Sequence, residues 1–270
     1  MIIISLVFLF PICFSVGSIY YQAVNYGNVI WWSIPLSLFL GILAFALTLL
    51  VFLIFSLLLI NGKHMKYYHF VIHQTCAFLI FFFRIKITAT GLEKIPKEEN
   101  FFLVCNHLSN LDPVIQMYVF KKVNISYIMK KEIMAIPFIG SWLKKSGFLV
   151  LDRKNNRQAA EVMIEAIQKC KNNEYIGVFP EGTRSKDGEL LPLKSGIFKV
   201  PQKANVQILI THLHGSNQIK RNYPFKRTHI YFEVLDKIKQ NELEKMSTNE
   251  ISDKITGIFK QKNEYYKKTN

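Results

Sequence analysis

The sequence predicts an α/β domain that follows an N-terminal membrane anchor, and two observations support this prediction. Residues 1–62 contain no Lys, Arg, Asp, Glu or His, so all residues of these five types lie from Lys63 onward in the 270-residue chain. From Ile85 onward, short apolar runs typical of strands alternate with segments of helical periodicity. Such alternation indicates an α/β domain.

The charge-free segment is long enough for two transmembrane helices. A helix needs roughly 20 apolar residues to cross a bilayer; Ile2–Tyr20 just reaches this length and Val29–Ile60 exceeds it. The polar stretch Gln22–Asn28 predicts the turn between the two spans. Lys63 and Lys66 then mark the cytoplasmic side, where basic residues accumulate. We therefore expect an integral membrane protein with its α/β domain on the cytoplasmic face.

Two alternatives for the first residues remain open. Residues 1–22 could be a cleaved signal peptide, although they lack a basic n-region and a second long apolar run follows. They could also be only partly inserted, which would leave a single span. His69–Arg84 is apolar but holds two histidines and is short for a span, which favours an interfacial or membrane-dipping helix.

The elements of the α/β domain follow from hydrophobic periodicity and turn residues. Predicted strands cover Ile85–Thr90, Phe101–Cys105, Ile125–Met129, Phe148–Leu151, Tyr175–Phe179, Val206–Leu213 and His229–Leu235. Predicted helices cover Pro113–Phe120, Glu132–Lys145 with an interruption near Pro137, and the segment from Ala159 to Cys170. Asp112 is predicted to be the N-cap of the first helix.

The C-terminal tail is predicted to be a charged amphipathic helix that opens with a capping box of Ser247 and Glu250. These predictions divide the chain into a membrane anchor at 1–62, a basic interfacial helix at 63–87, the α/β domain at 88–236 and the C-terminal helix and tail at 237–270.

Charge and cysteine content narrow the class of protein. The net charge of +15 suits an anionic membrane surface or acidic partners. Nucleic acid is less favoured, because the basic residues form no dense stripe and no binding motif occurs. The four cysteines show no CxxC spacing, which argues against a metal or disulfide framework and favours free thiols. They are Cys13, Cys76, Cys105 and Cys170.

The stretch NHLSNLDP, residues 106–113, places His107 and Asp112 just after an apolar strand. A hydroxyl nucleophile needs a base that works near pH 7 to remove its proton, and a neutral imidazole suits this role. A carboxylate can hold the tautomer of the imidazole and support the imidazolium that forms. Taken alone, the pattern also fits a polar turn with a capping Asp, because its spacing is loose.

Three other segments offer groups that bind anions. FPEGTRS, after a predicted strand, provides Gly182 for close backbone approach, the hydroxyl of Thr183 and the planar guanidinium of Arg184. GFLVLDR ends a strand at Arg153, and LKSG contributes Lys194. Each segment alone also fits an ordinary surface loop.

Several other site types have little support. The chain has no GxSxG elbow and neither a P-loop nor a strand-linked GxGxxG, so a serine hydrolase and a nucleotide cofactor are not indicated. His212 and His214 would share one face of a strand and could form a metal site with His107. No carboxylate spacing reinforces that alternative.

Taken together and in this order, NHxxxxD, Gly147–Arg153, FPEGTR and the downstream Lys-x-Gly resemble the PlsC-type glycerolipid acyltransferases, the 1-acyl-sn-glycerol-3-phosphate acyltransferase family. TGLEKIP, residues 90–96, is also similar to the lead-in to the first motif of that family. The resemblance covers about Thr88–Ile219. It implies an α/β fold with a mixed sheet flanked by helices, beside membrane-embedded helices.

The resemblance also implies a mechanism. His107 would deprotonate the hydroxyl of lysophosphatidic acid with Asp112 orienting it, and the hydroxyl would attack an acyl thioester directly. The donor would be acyl-CoA or acyl-carrier protein, with no cofactor and no metal. Asn106 and Ser109 would support the turn. The residues implied to bind the acceptor are Arg153, Glu181, Gly182, Thr183, Arg184 and Lys194.

Two alternatives to this function stay open. One is the same chemistry on another acceptor, such as glycerol 3-phosphate or another lysophospholipid. The other is a non-catalytic membrane protein that binds phospholipids. One segment also departs from the family: VQILITHL has Gln207 and Ile210 where the family usually has prolines, which puts the wall of the acyl tunnel in doubt.

Overall fold

The structure, a computed structural model, describes residues 13, 16–25, 35–36, 39–43, 45–47, 50, 65–136, 139–185 and 187–269. Most of the two predicted membrane spans therefore lies outside the described residues. Within those ranges, no helix is both long enough and apolar enough to cross a bilayer. The predicted turn from Gln22 starts too early, since residues 16–25 are helical and Asn25 Nδ2 donates to the Tyr21 carbonyl at 2.8 Å.

The chain divides into two compact units between Phe78 and Leu79, and a seven-stranded mixed sheet forms the centre of the second unit. Its strands are β1 Ile85–Thr90, β2 Phe101–Cys105, β3 Ile125–Lys130, β4 Leu149–Leu151, β5 Tyr175–Val178, β6 Gln207–His214 and β7 Thr228–Ile238. They lie in the order β1-β7-β6-β2-β5-β3-β4. The strands from β6 to β4 are parallel, β7 is antiparallel to β6, and β1 is parallel to β7. The predicted α/β fold with a mixed sheet is confirmed.

The helices connect the strands and agree with most predictions. They are α1 Met65–Phe82, α2 Asp112–Val119, α3 Ile139–Lys145, α4 Asn156–Lys171, α5 Lys199–Ala204, α6 Ile219–Asn222, α7 Gln240–Leu243 and α8 Thr248–Thr269. The predicted interruption separates the 3-10 turn Lys131–Ala135 from α3. The predicted capping box precedes α8: Ser247 N donates to Glu250 Oε2 at 2.6 Å and Glu250 N donates to Ser247 Oγ at 3.3 Å.

The central strand β2 is buried on both faces, since all five of its residues are fully buried. Its even-numbered side chains, Phe102 and Val104, join the core cluster that α4, α5 and α8 cover. On the other face, the Phe101 ring lies 5.8 Å from that of Phe120, just after α2. A continuous apolar run is what a strand covered on both faces requires, and this burial places the residues that follow β2 in a rigid setting.

The C-terminal helix belongs to this core. Ile251, Ile255 and Phe259 lie at i, i+4 and i+8 of α8, and each is fully buried in the cluster around β2 and β6. The predicted boundary between 236 and 237 falls inside β7, which continues to Ile238. The predicted boundary therefore separates the C-terminal segment from the sheet, whereas the apolar face of α8 packs on that sheet.

Replacing Ile255 with Ala should lower the free energy of unfolding by about 3 kcal/mol, because removing its buried side-chain carbons leaves a cavity in a packed core. Ile164→Ala is the matched control: Ile164 also lies on a helix but is 60% exposed, so its loss should change stability by less than about 0.5 kcal/mol. Urea unfolding of both variants provides the measurement. If Ile255→Ala loses as little stability as Ile164→Ala, the packing of α8 on the sheet does not stabilise the protein.

The two expected prolines are absent from a strand that pairs on both sides. Gln207 and Ile210 lie in β6, which pairs with β2 and with β7. Proline has no N–H to donate to a ladder and is normally excluded from such a strand. Here Gln207 Nε2 instead donates to Glu99 Oε2 at 2.7 Å, and Ile210 is fully buried just before a register shift in the β6–β7 pairing.

Candidate active site

The predicted site residues follow the carboxyl ends of neighbouring parallel strands. His107 comes two residues after β2, Arg153 two residues after β4, and Glu181 three residues after β5. Since β2, β5, β3 and β4 are parallel neighbours, these ends lie at one edge of the sheet, termed the C-terminal edge. Open α/β sheets bind their ligands at this edge. The topology therefore brings together segments that are far apart in the chain.

His107 and Asp112 form a hydrogen-bonded pair, with 2.9 Å between Nδ1 and Oδ2. Asp112 is fully buried, and its Oδ2 also accepts from the N–H groups of Leu108 and Ser109, both at 2.7 Å. Because Oδ2 acts as an acceptor, the His107 tautomer assigned to this contact carries its proton on Nδ1. This tautomer leaves the lone pair on Nε2, as a general base requires.

The prediction that Asp112 caps α2 is wrong. Leu111 is the residue that precedes the helix, and it makes no side-chain capping bond, while Asp112 is the first helical residue and Pro113 follows it. The carboxylate points back across the turn to Leu108 and Ser109 instead of forward to the helix N–H groups. Its position is therefore explained by the turn that holds His107.

Asn106 and Ser109 make hydrogen bonds at the start of this turn. The Asn106 side chain is buried and bonds twice to the backbone of Leu213 in β6, donating to its carbonyl at 2.9 Å and accepting from its N–H at 2.8 Å. Ser109 Oγ accepts from Leu111 N at 3.3 Å. These bonds join the end of β2 to β6 and fix the start of the turn.

Glu181 holds the backbone of His107. Its Oε1 accepts from His107 N at 2.7 Å, and its Oε2 accepts from Leu191 N at 3.1 Å. Ser185 N also donates to the His107 carbonyl at 2.9 Å. Both Glu181 oxygens thus bind the protein's own backbone, and its implied contact with the acceptor stays a prediction. The geometry makes Glu181 a positioning residue.

The environment of Glu181 raises the pKa of its carboxyl group from 4.5 to about 7. Burial is the main cause, and the negative charge of Asp112 acts in the same direction, while the two backbone N–H bonds oppose them. A buried carboxylate costs free energy unless it is well paired.

This shift predicts a pH dependence of stability. Between pH 4.5 and about 7 the folded protein binds more protons at Glu181 than the unfolded chain does. The free energy of unfolding should therefore fall as pH rises through this window, by about 3 kcal/mol from this group. Glu181→Gln should lack that part of the pH dependence in urea unfolding. Identical pH profiles for the variant and the wild type would contradict the assignment.

Sequence reasoning missed three residues that orient the His107 ring. The imidazole stacks on Phe179, with 4.2 Å between ring centroids, and Phe179 stacks on Tyr127 at 5.7 Å. The Tyr127 hydroxyl donates to Gln116 Oε1 at 2.6 Å, and Gln116 is fully buried one turn after Asp112 on α2. The stacked rings thus connect one face of the imidazole to Gln116 of α2, and Asp112 of the same helix binds the Nδ1 of the ring.

A polar residue inside the apolar helix sequence DPVIQMYV was the available signal for Gln116. An amide at a core position of a helix needs a buried partner. Phe179 lay within a recognised motif but has no polar group, so only its position in space reveals its role.

The structure brings three of the implied acceptor-binding residues together. Arg153 Nη2 donates to the Gly182 carbonyl. Gly182 has a positive φ of 70°, and a Cβ there would lie 3.0–3.3 Å from the Lys194 side chain. The positive φ favours glycine at this position, where the Lys194 side chain crosses the loop. Thr183, Arg184 and Lys194 are exposed, so their hydroxyl and cationic groups are accessible at this edge.

His212 and His214 share one face of β6, as predicted, and both stack on Tyr266 of α8, at 5.8 Å and 4.1 Å. His212 Nε2 also lies 2.8 Å from Asn263 Oδ1, and burial lowers the pKa of His212 to about 4. Within the described ranges, no three His, Cys, Asp or Glu residues are placed to hold a metal ion. These two histidines thus pack against the C-terminal helix.

Comparisons with known proteins agree with the resemblance. A family model described as Acyltransferase matches residues 86–211. A 1-acyl-sn-glycerol-3-phosphate acyltransferase of Borreliella burgdorferi is 33% identical over 177 residues, which are 63% of this chain and 70% of the relative. The enzyme of the same name from Escherichia coli is 30% identical over 60% of this chain and 66% of its own length. A chloroplastic relative from Brassica napus is 30% identical over 60% of this chain but only 46% of its own length.

The fold is similar to that in the crystal structure of the 1-acyl-sn-glycerophosphate acyltransferase PlsC from Thermotoga maritima. The TM-score is 0.65 at 22% identity, over 97% of this chain and 95% of the other. At this identity the likeness concerns the fold.

Proposed function

Because the chain belongs to the PlsC-type acyltransferase family, we propose that it transfers a fatty acyl group to the free hydroxyl of lysophosphatidic acid and so makes phosphatidic acid. The names of the curated relatives support this choice of acceptor. The observation that carries the proposal is the His107–Asp112 pair, held at the C-terminal edge of the sheet near Arg153 and Lys194.

In the proposed reaction, His107 Nε2 removes the proton of the acceptor hydroxyl while the hydroxyl oxygen attacks the carbonyl carbon of the thioester. The C–S bond then breaks, and the thiolate leaves with the proton from the imidazolium. Asp112 stabilises the imidazolium, because its Oδ2 already accepts from Nδ1 at 2.9 Å. No acyl-enzyme forms, since the acceptor oxygen is itself the nucleophile.

The cations at the same edge suit the phosphate of the acceptor. Arg153 and Arg184 offer planar donor groups that match phosphate oxygens, and Lys194 adds a point charge. Arg153 is already oriented by its bond to the Gly182 carbonyl. We propose that these three side chains hold the phosphate and so place the free hydroxyl at His107.

The proposed donor is acyl-CoA or acyl-carrier protein, and no cofactor takes part. Both donors are acidic, and the net charge of +15 favours their encounter with this protein. We also propose that the apolar residues 1–62 anchor the enzyme in the membrane, with the catalytic domain on the cytoplasmic face. An anchored enzyme meets its amphiphilic acceptor in two dimensions.

A panel of acceptors tests the proposal. Full-length protein would receive an acyl thioester together with lysophosphatidic acid, glycerol 3-phosphate or lysophosphatidylcholine, and free thiol would be measured. Thiol release should depend on lysophosphatidic acid. Acylation of a different acceptor alone would overturn the choice of substrate, and lipid binding without thiol release from any acceptor would overturn the enzymatic function.

A further inference from the structure

The connection between β6 and β7 carries an unusual surface segment, Lys220–Arg227, with the sequence KRNYPFKR. It is termed the basic aromatic loop. Phe225 lies in it with 87% of its surface exposed. The four cations that flank this ring, Lys220, Arg221, Lys226 and Arg227, are also exposed.

The loop is held in place by its contacts with the last turn of α1 and the residues that follow. The Tyr223 ring packs on Phe82 and Phe83, with centroid distances of 5.4 Å and 5.1 Å. Arg84 Nη1 donates to the Pro224 carbonyl at 3.1 Å, and Thr228 N donates to the Arg84 carbonyl at 3.2 Å. These contacts fix the backbone on both sides of Phe225, and its ring is exposed in that fixed conformation.

Apolar surface continues from the loop onto the end of α1, where Phe81 is 70% exposed and Phe82 is 46% exposed. Three aromatic side chains thus reach solvent on two adjoining segments. Isolated exposed apolar residues are ordinary on protein surfaces, but a group of them marks an interaction site.

The charge of both segments has one sign. The chain contains no Asp or Glu before Glu93, and none between Glu189 and Glu233. Arg84 adds a fifth exposed cation to the four of the basic aromatic loop. None of the salt bridges among the described residues involves these five cations. Their charge is therefore available to an anionic partner.

The topology places this surface at the same edge of the sheet as His107. β7 runs antiparallel to β6, so its first residues lie beside the end of β6, with Tyr231 opposite His214. β1 begins at the same level, with Ile85 paired to Thr228. The starts of β1 and β7 and the ends of β2 and β5 therefore share the C-terminal edge.

We propose that the basic aromatic loop and the exposed end of α1 bind the surface of an anionic lipid bilayer. Lys and Arg side chains near such a surface are attracted to its headgroups, and aromatic rings favour the interfacial region. A ring that is 87% exposed projects outward, and a bilayer accepts a projecting ring without a matching groove. Lysine is also depleted in protein–protein interfaces, so a bilayer fits this surface better than an acidic protein does.

Hydrogen–deuterium exchange of the full-length protein in lipid nanodiscs tests this inference without relying on activity. Peptides that span residues 219–228 should exchange more slowly in phosphatidylglycerol discs than in phosphatidylcholine discs. A basic residue close to an anionic surface contributes about fivefold to binding. The double variant Lys226→Gln/Arg227→Gln should therefore reduce the slowing of exchange in phosphatidylglycerol discs by at least about fivefold.

Lys121→Gln/Lys122→Gln is the matched control. It removes the same charge from an exposed pair just before β3, at the opposite edge of the sheet, and should leave the protection unchanged. Phe225→Ser separates the aromatic part from the charge and should weaken protection in the same peptides. Equal exchange in both lipids would overturn the inference. Protection that appears only when acyl-carrier protein is added would assign the surface to an acidic protein instead.

Discussion

Replacing His107 with Ala is expected to lower the rate of thiol release by about 10³-fold, because a positioned general base contributes roughly 10²- to 10⁴-fold to catalysis. The loss should fall on kcat. The KM for lysophosphatidic acid should change little, since the proposed phosphate contacts come from Arg153, Arg184 and Lys194. The variant should remain folded, because Glu181 still binds the backbone N–H of residue 107, and the N–H groups of Leu108 and Ser109 still bind Asp112.

His229→Ala is the matched control for that experiment. His229 is an exposed histidine of β7, so its removal should leave the rate within about twofold of wild type. Thiol release with saturating acyl thioester provides the measurement for both variants. Equal rates for His107→Ala and the wild type would exclude His107 as the base.

Replacing Asp112 with Asn should lower kcat by about 10²-fold or more, with little change in KM. The amide oxygen can still accept from Leu108 and Ser109, whose N–H groups lie 2.7 Å from Oδ2 in the native protein, so the turn should persist. The variant lacks the negative charge that supports the imidazolium, and loss of the corresponding carboxylate in a Ser-His-Asp triad costs about 10⁴-fold.

Asp253→Asn makes the same chemical change on the exposed side of α8 and should have no effect on kcat. Thermal unfolding of both variants would show whether the turn has been lost together with the activity. Full activity in a folded Asp112→Asn protein would mean that His107 needs no charged partner.

Much of the α/β domain could be predicted because its signals are local. The apolar run of β2 is typical of a strand buried on both faces, and the capping box of α8 depends on residues only three positions apart. Boundaries of units were harder to predict. The charged side of α8 dominates its composition, whereas Ile251 and Phe259, which join it to the core, depend on the distant strand β6 for their burial.

The site was predictable where it depends on motifs and less so where it depends on tertiary contacts. The pairing of His107 with Asp112 could be predicted from the order of the four motifs, because the spacing of the two residues alone also fits a polar turn. The cap assigned to Asp112 was wrong because an Asp before Pro has the same local pattern whether its carboxylate points forward or back. Glu181 could not be recognised as a positioning residue, because its partner His107 is 74 positions away in the chain.

The ring stack behind His107 limits the direction from which a proton can be taken. A lone pair on Nε2 lies in the plane of the imidazole, and that plane is set by Phe179, 21° from parallel, and by Asp112 at Nδ1. Phe179 covers one face of the ring. An acceptor alcohol must therefore approach in the ring plane from the side opposite Asp112. The ring stack therefore admits an alcohol that reaches Nε2 edge-on and excludes one that would approach through the face covered by Phe179.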